Sequence, residues 1–314
     1  MKYSIVIRSF NEEKNIGRLL SGIFQQTVRE VEIILVDSGS IDSTISIAKN
    51  YPIKILHIEP EEFTFGRSLN RGIAEAEGDV IVIASAHVYP TYPDWLEQLI
   101  LPFYDSKVAL VYGRQRGGPK TLFSEHQIFA HWYPKQSQPI QKDPFCNNAN
   151  SAILRRIWNK HKYDESLTGL EDLEWASWAL GQGYFISYVA EAEVIHVHNE
   201  TPWMIYNRYK RESIALKRIF PKENFDLKDF IHLSITNIYS DILQAVRHKE
   251  LKRSLMSVLW FRLTQFWGTY QGYRYKGTPD SRLRRIFYYP QFGRNEAQAF
   301  SRTIEPIHYI DQKQ

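Results

Sequence analysis

The side chains able to do chemistry gather where short β-rich runs end. One such run closes on Ser9, Asn11 and Glu12, a second on Asp37 and Ser38, and another on Ser85 and His87. In an open α/β sheet, ligands sit at the carboxyl ends of parallel strands, so these are the ends that a ligand should meet. An ionised Asp37 accepts hydrogen bonds only, which suits the imide N–H of a uracil or thymine ring; the same carboxylate would equally serve its own turn or cap a helix. His196 and His198 alternate along a β-rich stretch and so share a face, as two metal ligands would. Glu171 and Asp172 open a helix expected over Glu171 to Gly181. A helix N-terminus keeps a carboxylate ionised, as a general base at neutral pH requires, and it is also where a carboxylate merely caps a helix. Basic residues concentrate late, among them Arg208, Lys210, Arg211, Lys217, Arg218, Lys252, Arg253, Arg282, Arg284 and Arg285, as partners for phosphates, a membrane surface or solvent.

The elements that must position these groups read as βαβ units. From residue 3 to about 113, runs at Tyr3 to Arg8, Val31 to Asp37, Ile53 to Ile58, Val80 to Ala84 and Val108 to Tyr112 alternate with helical stretches, which predicts an α/β domain with a mainly parallel sheet. Ile16, Leu19, Leu20, Ile23 and Phe24 recur at helical spacing, so a helix packs on that sheet. No G-x-G-x-x-G or G-x-x-x-x-G-K-[ST] pattern opens any helix, which argues against a dinucleotide-binding dehydrogenase and a P-loop NTPase. Beyond residue 114 the alternation stops; a short β pair is expected at Tyr184 to Val189 and Val194 to His198, and mostly helix from Pro202, interrupted near Pro221 and at Gly268, Gly272 and Gly277. The 314 residues are 43% hydrophobic, enough for a real core, and carry a net charge of +4. A single cysteine, Cys146, fits a reducing compartment, no signal-peptide pattern starts the chain, and the cytosol is expected. Leu255 to Phe266, broken by Arg262, is too short to span a bilayer, where ~20 apolar residues are needed, and reads as a surface-lying amphipathic helix, a core helix or a dimer contact.

Five segments, taken in order, resemble the family-two glycosyltransferases. They are Ser4-Ile-Val-Ile-Arg-Ser-Phe-Asn-Glu12, Ile34-Leu-Val-Asp-Ser-Gly-Ser-Ile-Asp-Ser-Thr44, Asn70-Arg-Gly-Ile-Ala-Glu-Ala-Glu-Gly-Asp79, Gly169-Leu-Glu-Asp-Leu-Glu-Trp-Ala176 and Val194-Ile-His-Val-His198. Tyr112-Gly-Arg-Gln115 and Tyr188-Val-Ala-Glu-Ala-Glu-Val-Ile-His196 bring the likeness nearest to rhamnosyltransferase-like enzymes of bacterial surface polysaccharides. The resemblance implies the nucleotide-diphospho-sugar transferase (GT-A) fold over residues 1–215, with a nucleotide-binding part to about 113, an acceptor part from 114, and a helical extension over 216–314. It implies inverting transfer of a sugar from a UDP- or dTDP-linked donor to a hydroxyl of a glycan or lipid-linked acceptor, with the inner membrane surface as a further partner and no nucleic-acid partner.

The resemblance also assigns roles. Ser9, Asn11, Glu12, Asp37 and Ser38 would hold the nucleoside. Asn70, Gly72 and Arg67 would lie near the diphosphate, though Leu69 stands where relatives often have an arginine. Asp172 would be the base, with Glu171 the runner-up and Trp175 and Trp178 flanking a sugar; Asn147, Asn148 and Asn150 would line the cleft, and Arg208 and Arg211 would meet the leaving diphosphate. Where the family usually has a metal-binding Asp-x-Asp, this chain reads Ser85-Ala86-His87. His87 with His196 or His198 would then hold a divalent cation, Mn²⁺ rather than Mg²⁺, or arginines would neutralise the phosphates without metal. Two other readings stand beside this one: a non-catalytic nucleotide-sugar-binding regulator of the same fold, and a nucleotidyltransferase, which would call for a Gly- and Lys-rich phosphate loop that is absent near the first strand.

Overall fold

A computed structural model describes residues 1–277 together with Glu305, Ile307 and Tyr309. The first part follows the expected alternation: β1 (Tyr3–Ser9), α1 (Ile16–Phe24), β2 (Glu32–Asp37), α2 (Thr44–Ala48), β3 (Lys54–His57), α3 (Phe65–Glu75) and β4 (Val80–Ser85). Every residue of β4 and nearly every residue of β1 and β2 is buried, as in strands covered by helices on both faces. Helix α1 turns Ile16, Leu19, Leu20 and Ile23 into that core. Gly72, expected near a diphosphate, instead lets α3 sit tight on the sheet, since a Cβ there would fall 2.5 Å from Val6 Cγ1.

The chain continues through β5 (Val88–Pro90), α4 (Trp95–Ile100), β6 (Val108–Gly117), α5 (Phe123–Trp132), β7 (Gln138–Gln141), β8 (Asn150–Leu154), α6 (Arg155–Trp158), α7 (Glu171–Gly181) and β9 (Phe185–His196). The sheet runs in the order β3-β2-β1-β4-β8-β6-β9-β5, with β7 paired to β9. Antiparallel β8 lies between β4 and β6, so β6 does not continue the parallel series directly. Six of these nine strands nevertheless point the same way. The β pair expected across residues 184–198 is one strand, β9, paired parallel to β6 with a register irregularity between Gly113 and Gln115.

Three helices complete the described chain: α8 (Pro202–Ile219), α9 (Leu227–Arg247) and α10 (Leu251–Arg274). The expected boundary at 215 falls inside α8, and Gly268 and Gly272 lie within α10 rather than interrupting it. They are the points of closest approach to α8, where a Cβ would stand 2.6 Å from the Tyr206 carbonyl oxygen and 2.5 Å from that of Lys210. Arg262 does not break an apolar surface; it is buried and paired with Asp241 of α9 at 2.8 Å. Val258, Phe261 and Gln265 are buried beside it, while Met256 and Leu263 of the Leu255 to Phe266 segment are exposed, so one side of the segment packs inward and the other faces out. Among the described residues no helix is long and apolar enough to cross a membrane. Arg282, Arg284 and Arg285 lie outside the described residues.

Candidate active site

A cleft of about 2000 Å³ opens at the carboxyl ends of β1 and β4, bounded by the start of α7, the end of β9 and one face of α8. Ser9, Asn11, Glu12, Ser38, Ser85, His87, Asn147, Asn148, Glu171, Asp172, His196, His198, Arg208 and Arg211 all line it. Residues 9 and 198 are far apart in sequence; the sheet order brings their ends together.

Three histidines meet on one side of the cleft. Pairing of β5 with β9 sets Val88 opposite His196 and brings the His87 ring over it, with centroids 5.0 Å apart. The nitrogens that His87, His196 and His198 offer lie within 4.8 Å of one another, and the Nε2 atoms of His196 and His198 are 2.9 Å apart. Behind each ring stands one acceptor. His87 Nδ1 donates to Glu12 at 2.6 Å, His198 Nδ1 to Glu125 at 2.6 Å, and His196 Nδ1 to Gln115 Oε1 at 2.7 Å. A carboxylate only accepts, so the proton of each neutral ring rests on Nδ1 and the Nε2 lone pair faces the cleft. Gln115 is oriented the same way, because its amide N–H donates to Asn147 Oδ1 at 3.2 Å. Burial, with the charges of His198 and His87, holds the His196 pKa well below its ordinary value and keeps it neutral. Burial would lower His87 too, but Glu12 outweighs it and raises the pKa. Lone pairs converging at this spacing repel unless a proton or a cation lies among them, so the residues present fit a divalent cation held by imidazole nitrogens.

Arg208 joins the same layer, donating to Glu125 at 2.8 Å and pairing with Glu200 at 2.5 Å. Burial alone would raise Glu125, yet His198 and Arg208 together hold its carboxylate well below the usual range.

The second chemical centre is the start of α7. Leu170 precedes it in a left-handed conformation, φ 57°, and makes no side-chain cap, so Glu171 and Asp172 are the first helical residues rather than caps. Asp172 accepts the backbone N–H of Asn148 and that of Leu173, each at 2.9 Å. Burial, followed by the neighbouring Glu171 charge, raises its pKa to about 7 against those two hydrogen bonds. The helix terminus was expected to keep this group ionised; desolvation prevails and leaves it poised near neutrality. Glu171 instead pairs with Arg8 at 3.1 Å. The Arg8 guanidinium also sits 4.8 Å from the Phe65 ring centre, and that of Arg211 sits 4.7 Å from the same ring. The phenyl thus holds two cations beside the cleft.

On the Ser38 side of the cleft, several residues expected to hold the donor are engaged within the protein itself. Asp37 is 1% exposed and turned into its own loop, accepting from Gly39 N–H at 3.1 Å, Ser40 N–H at 3.0 Å and the Ser40 hydroxyl at 2.5 Å. Ser38 is the residue of that loop on the cleft wall. Asn11, with φ 53°, receives the Ile41 N–H and locks the first loop to the second. Glu12 serves His87. Arg67 faces Glu165 at 2.9 Å and the Glu62 carbonyl, away from the cleft. Asn70 is buried, with its amide donating to Tyr163 O and Glu165 while its oxygen accepts from Trp158 Nε1 and Tyr163 N–H. Asn150 is likewise structural, held by Trp95, Arg114 and Ala192. Trp175 is fully buried and Trp178 stacks on His161 at 4.5 Å, so neither flanks a ligand in the cleft.

Arg8, Gln115, Glu125 and Glu200 were not singled out from sequence. Arg8 and Gln115 lie within the matched segments but carry no chemistry by type or spacing alone. Glu125 sits on α5 with no local signal, and only tertiary packing sets it behind His198.

Similarity to known proteins gives the family and the fold. Residues 4–162 match the model for Glycosyl transferase family 2. The O-antigen chain rhamnosyltransferase RfbN of Salmonella typhimurium is 28% identical over 223 residues, 67% of this chain and 70% of that protein. The O-antigen chain rhamnosyltransferase WbaN of Salmonella anatum is 31% identical over 196 residues, 59% of this chain and 62% of that protein. In fold the chain is similar to the mannosyltransferase PcManGT of Pyrobaculum calidifontis, solved with GDP-Man and Mn²⁺, at TM-score 0.58 and 16% identity over 92% of this chain and 88% of that one. The chain therefore belongs to glycosyl transferase family 2 and has the GT-A fold.

Proposed function

We propose that the protein is an inverting transferase that moves a hexosyl or deoxyhexosyl unit, rhamnosyl by likeness to its relatives, from a UDP- or dTDP-linked donor to a hydroxyl of a glycan or lipid-linked acceptor. Surface polysaccharide synthesis in the cytoplasm is the setting. The observation that carries this reading is Asp172, a buried carboxyl with its pKa raised to about 7, in the same cleft as three converging imidazoles. A base with a pKa near the working pH combines a populated ionised form with the strongest pull on the proton.

In the step proposed, the acceptor oxygen attacks the anomeric carbon from the face opposite the nucleotide. Its proton passes to Asp172, and the bond from that carbon to the diphosphate oxygen breaks with its electron pair leaving on the diphosphate. Asn148 N–H and Leu173 N–H hold the Asp172 carboxylate in place. Arg8 pairs with Glu171 next to it, while Arg208 and Arg211 face the emerging charge with their guanidinium groups. A divalent cation on His87, His196 and His198 would neutralise the leaving diphosphate, and an imidazole donor set favours Mn²⁺ over Mg²⁺.

The test is a panel of nucleotide-sugars, scored for nucleoside diphosphate release with Mn²⁺ and with EDTA, for the wild type and Asp172→Asn. Release by the wild type that Asp172→Asn lowers about 10²–10⁴-fold is expected. Binding of donor with no release from any candidate acceptor would favour instead the non-catalytic regulator suggested by Ser85-Ala86-His87 in place of Asp-x-Asp.

A further inference from the structure

One exposed row of α9 is apolar along its length, beside a polar row of His232, Thr236 and Ser240. Ile231, Ile235, Tyr239, Leu243 and Val246 are each 41–64% exposed. Their spacing of three or four residues puts them on one side of the helix. Helix α10 extends the surface: Met256, Leu263 and Trp267 are exposed on it, and Trp267 touches Phe230 of α9 at 5.4 Å, joining the two rows. A contiguous exposed apolar surface of this kind marks a place where something docks.

Charge decides what docks. Helix α10 has no acidic residue in its 24 positions, and α9 has only Asp229, in the N-terminal capping box, and Asp241, buried against Arg262. The turn between the helices and the helix ends beside it carry exposed Arg247, Lys249, Lys252 and Arg253 against a single acid, Glu250. A second copy of this chain seated symmetrically on the face would offer those bases almost no acidic partner. A surface that is apolar below and anionic above satisfies both features at once.

We infer that the outer face of the α9–α10 hairpin docks on an anionic phospholipid surface. The side chains of α9 enter the headgroup boundary and the basic turn meets the phosphates. Two contacts make the hairpin a rigid platform: the buried Arg262–Asp241 pair and the close seating of Gly268 and Gly272 on α8. Helix α8 supplies Arg208 and Arg211 to the cleft, so docking fixes the cleft relative to the surface.

The full chain would be sedimented with vesicles of phosphatidylcholine alone and of phosphatidylcholine mixed with phosphatidylglycerol. Binding to the mixed vesicles that weakens with salt is expected, together with little binding to the neutral ones. Ile235→Glu with Leu243→Glu should abolish it, and Lys252→Glu with Arg253→Glu should weaken it by about 25-fold or more, at about fivefold per base removed. Thermal melting should stay unchanged for both variants, since all four side chains are outward. The inference is overturned if the wild type ignores both vesicle types, if the α9 variant binds as well as the wild type, or if light scattering shows a dimer that Ile235→Glu dissociates while vesicles are ignored.

Discussion

Polar residues stand on both sides of the cleft, and they are used differently. On the Ser38 side, Asp37 and Asn70 stand behind the cleft surface and direct their side-chain hydrogen bonds into their own loop or into the 158–165 segment. On the histidine wall each ring is held from behind by one acceptor, and its other nitrogen faces the cleft. Residue type is the same signal in both places. What separates a scaffold residue from a working one is whether its partners stand behind it or all around it.

The largest effects should come from the working side, at Asp172. Its pKa stands at about 7 in the fold, against about 3.9 for an unperturbed aspartate. Below pH 4 both states are protonated and burial of the carboxyl costs nothing. As pH rises the unfolded chain loses its proton first, so the cost grows up to about pH 7 and is full above it, up to about 4 kcal/mol. Asp172→Asn should therefore melt higher than the wild type at pH 8, with the gap closing toward pH 4, although it has lost transfer. Wild-type transfer should fall as pH drops below about 7. Equal melting curves at pH 8 would mean that this carboxyl is not held against its desolvation.

A middle-sized effect should come from the acceptors behind the rings. Glu125→Gln removes the charge that orients His198 and pairs with Arg208, and Glu12→Gln does the same for His87. Such outer partners typically change metal affinity or activity about 10–100-fold. Titration calorimetry with Mn²⁺ should show a weakening of that order for each variant. A wild type that takes up no Mn²⁺ would leave the imidazoles to meet the diphosphate directly and would move charge neutralisation to Arg8, Arg208 and Arg211.

The alternating strands and helices to residue 85, the α7 helix and the polar strand ends were legible because each is a local signal: short continuous apolar runs for buried strands, apolar residues at helical spacing, and a carboxylate pair at a helix start. The strand order was not legible, since nothing in Asn150–Leu154 says that it inserts antiparallel between β4 and β6. His87, His196 and His198 were drawn together from the family pattern, whereas Glu125 and Gln115 were not, because their role exists only across α5, β6 and β9. Glycines misled in one respect. Gly268 and Gly272 looked like helix breaks, but within a helix glycine is also what lets a neighbouring helix come close.

The smallest effects are expected on the scaffold side, and they are the sharpest test of the contrast. Asn70→Ala removes four hydrogen bonds and leaves the buried Trp158 indole N–H without its acceptor. An orphaned buried donor costs about 1–3 kcal/mol, so a drop in melting temperature should accompany an unchanged donor KM. Arg67→Ala breaks a pair whose two side chains are 44% and 39% exposed, which is worth at most about 1 kcal/mol, and it too should leave KM alone. If either variant instead raised donor KM with little loss of stability, the α3 residues would belong to the working wall after all. The division between scaffold and working residues would then lie between Asp37 and Asn70 rather than between the Ser38 and histidine sides.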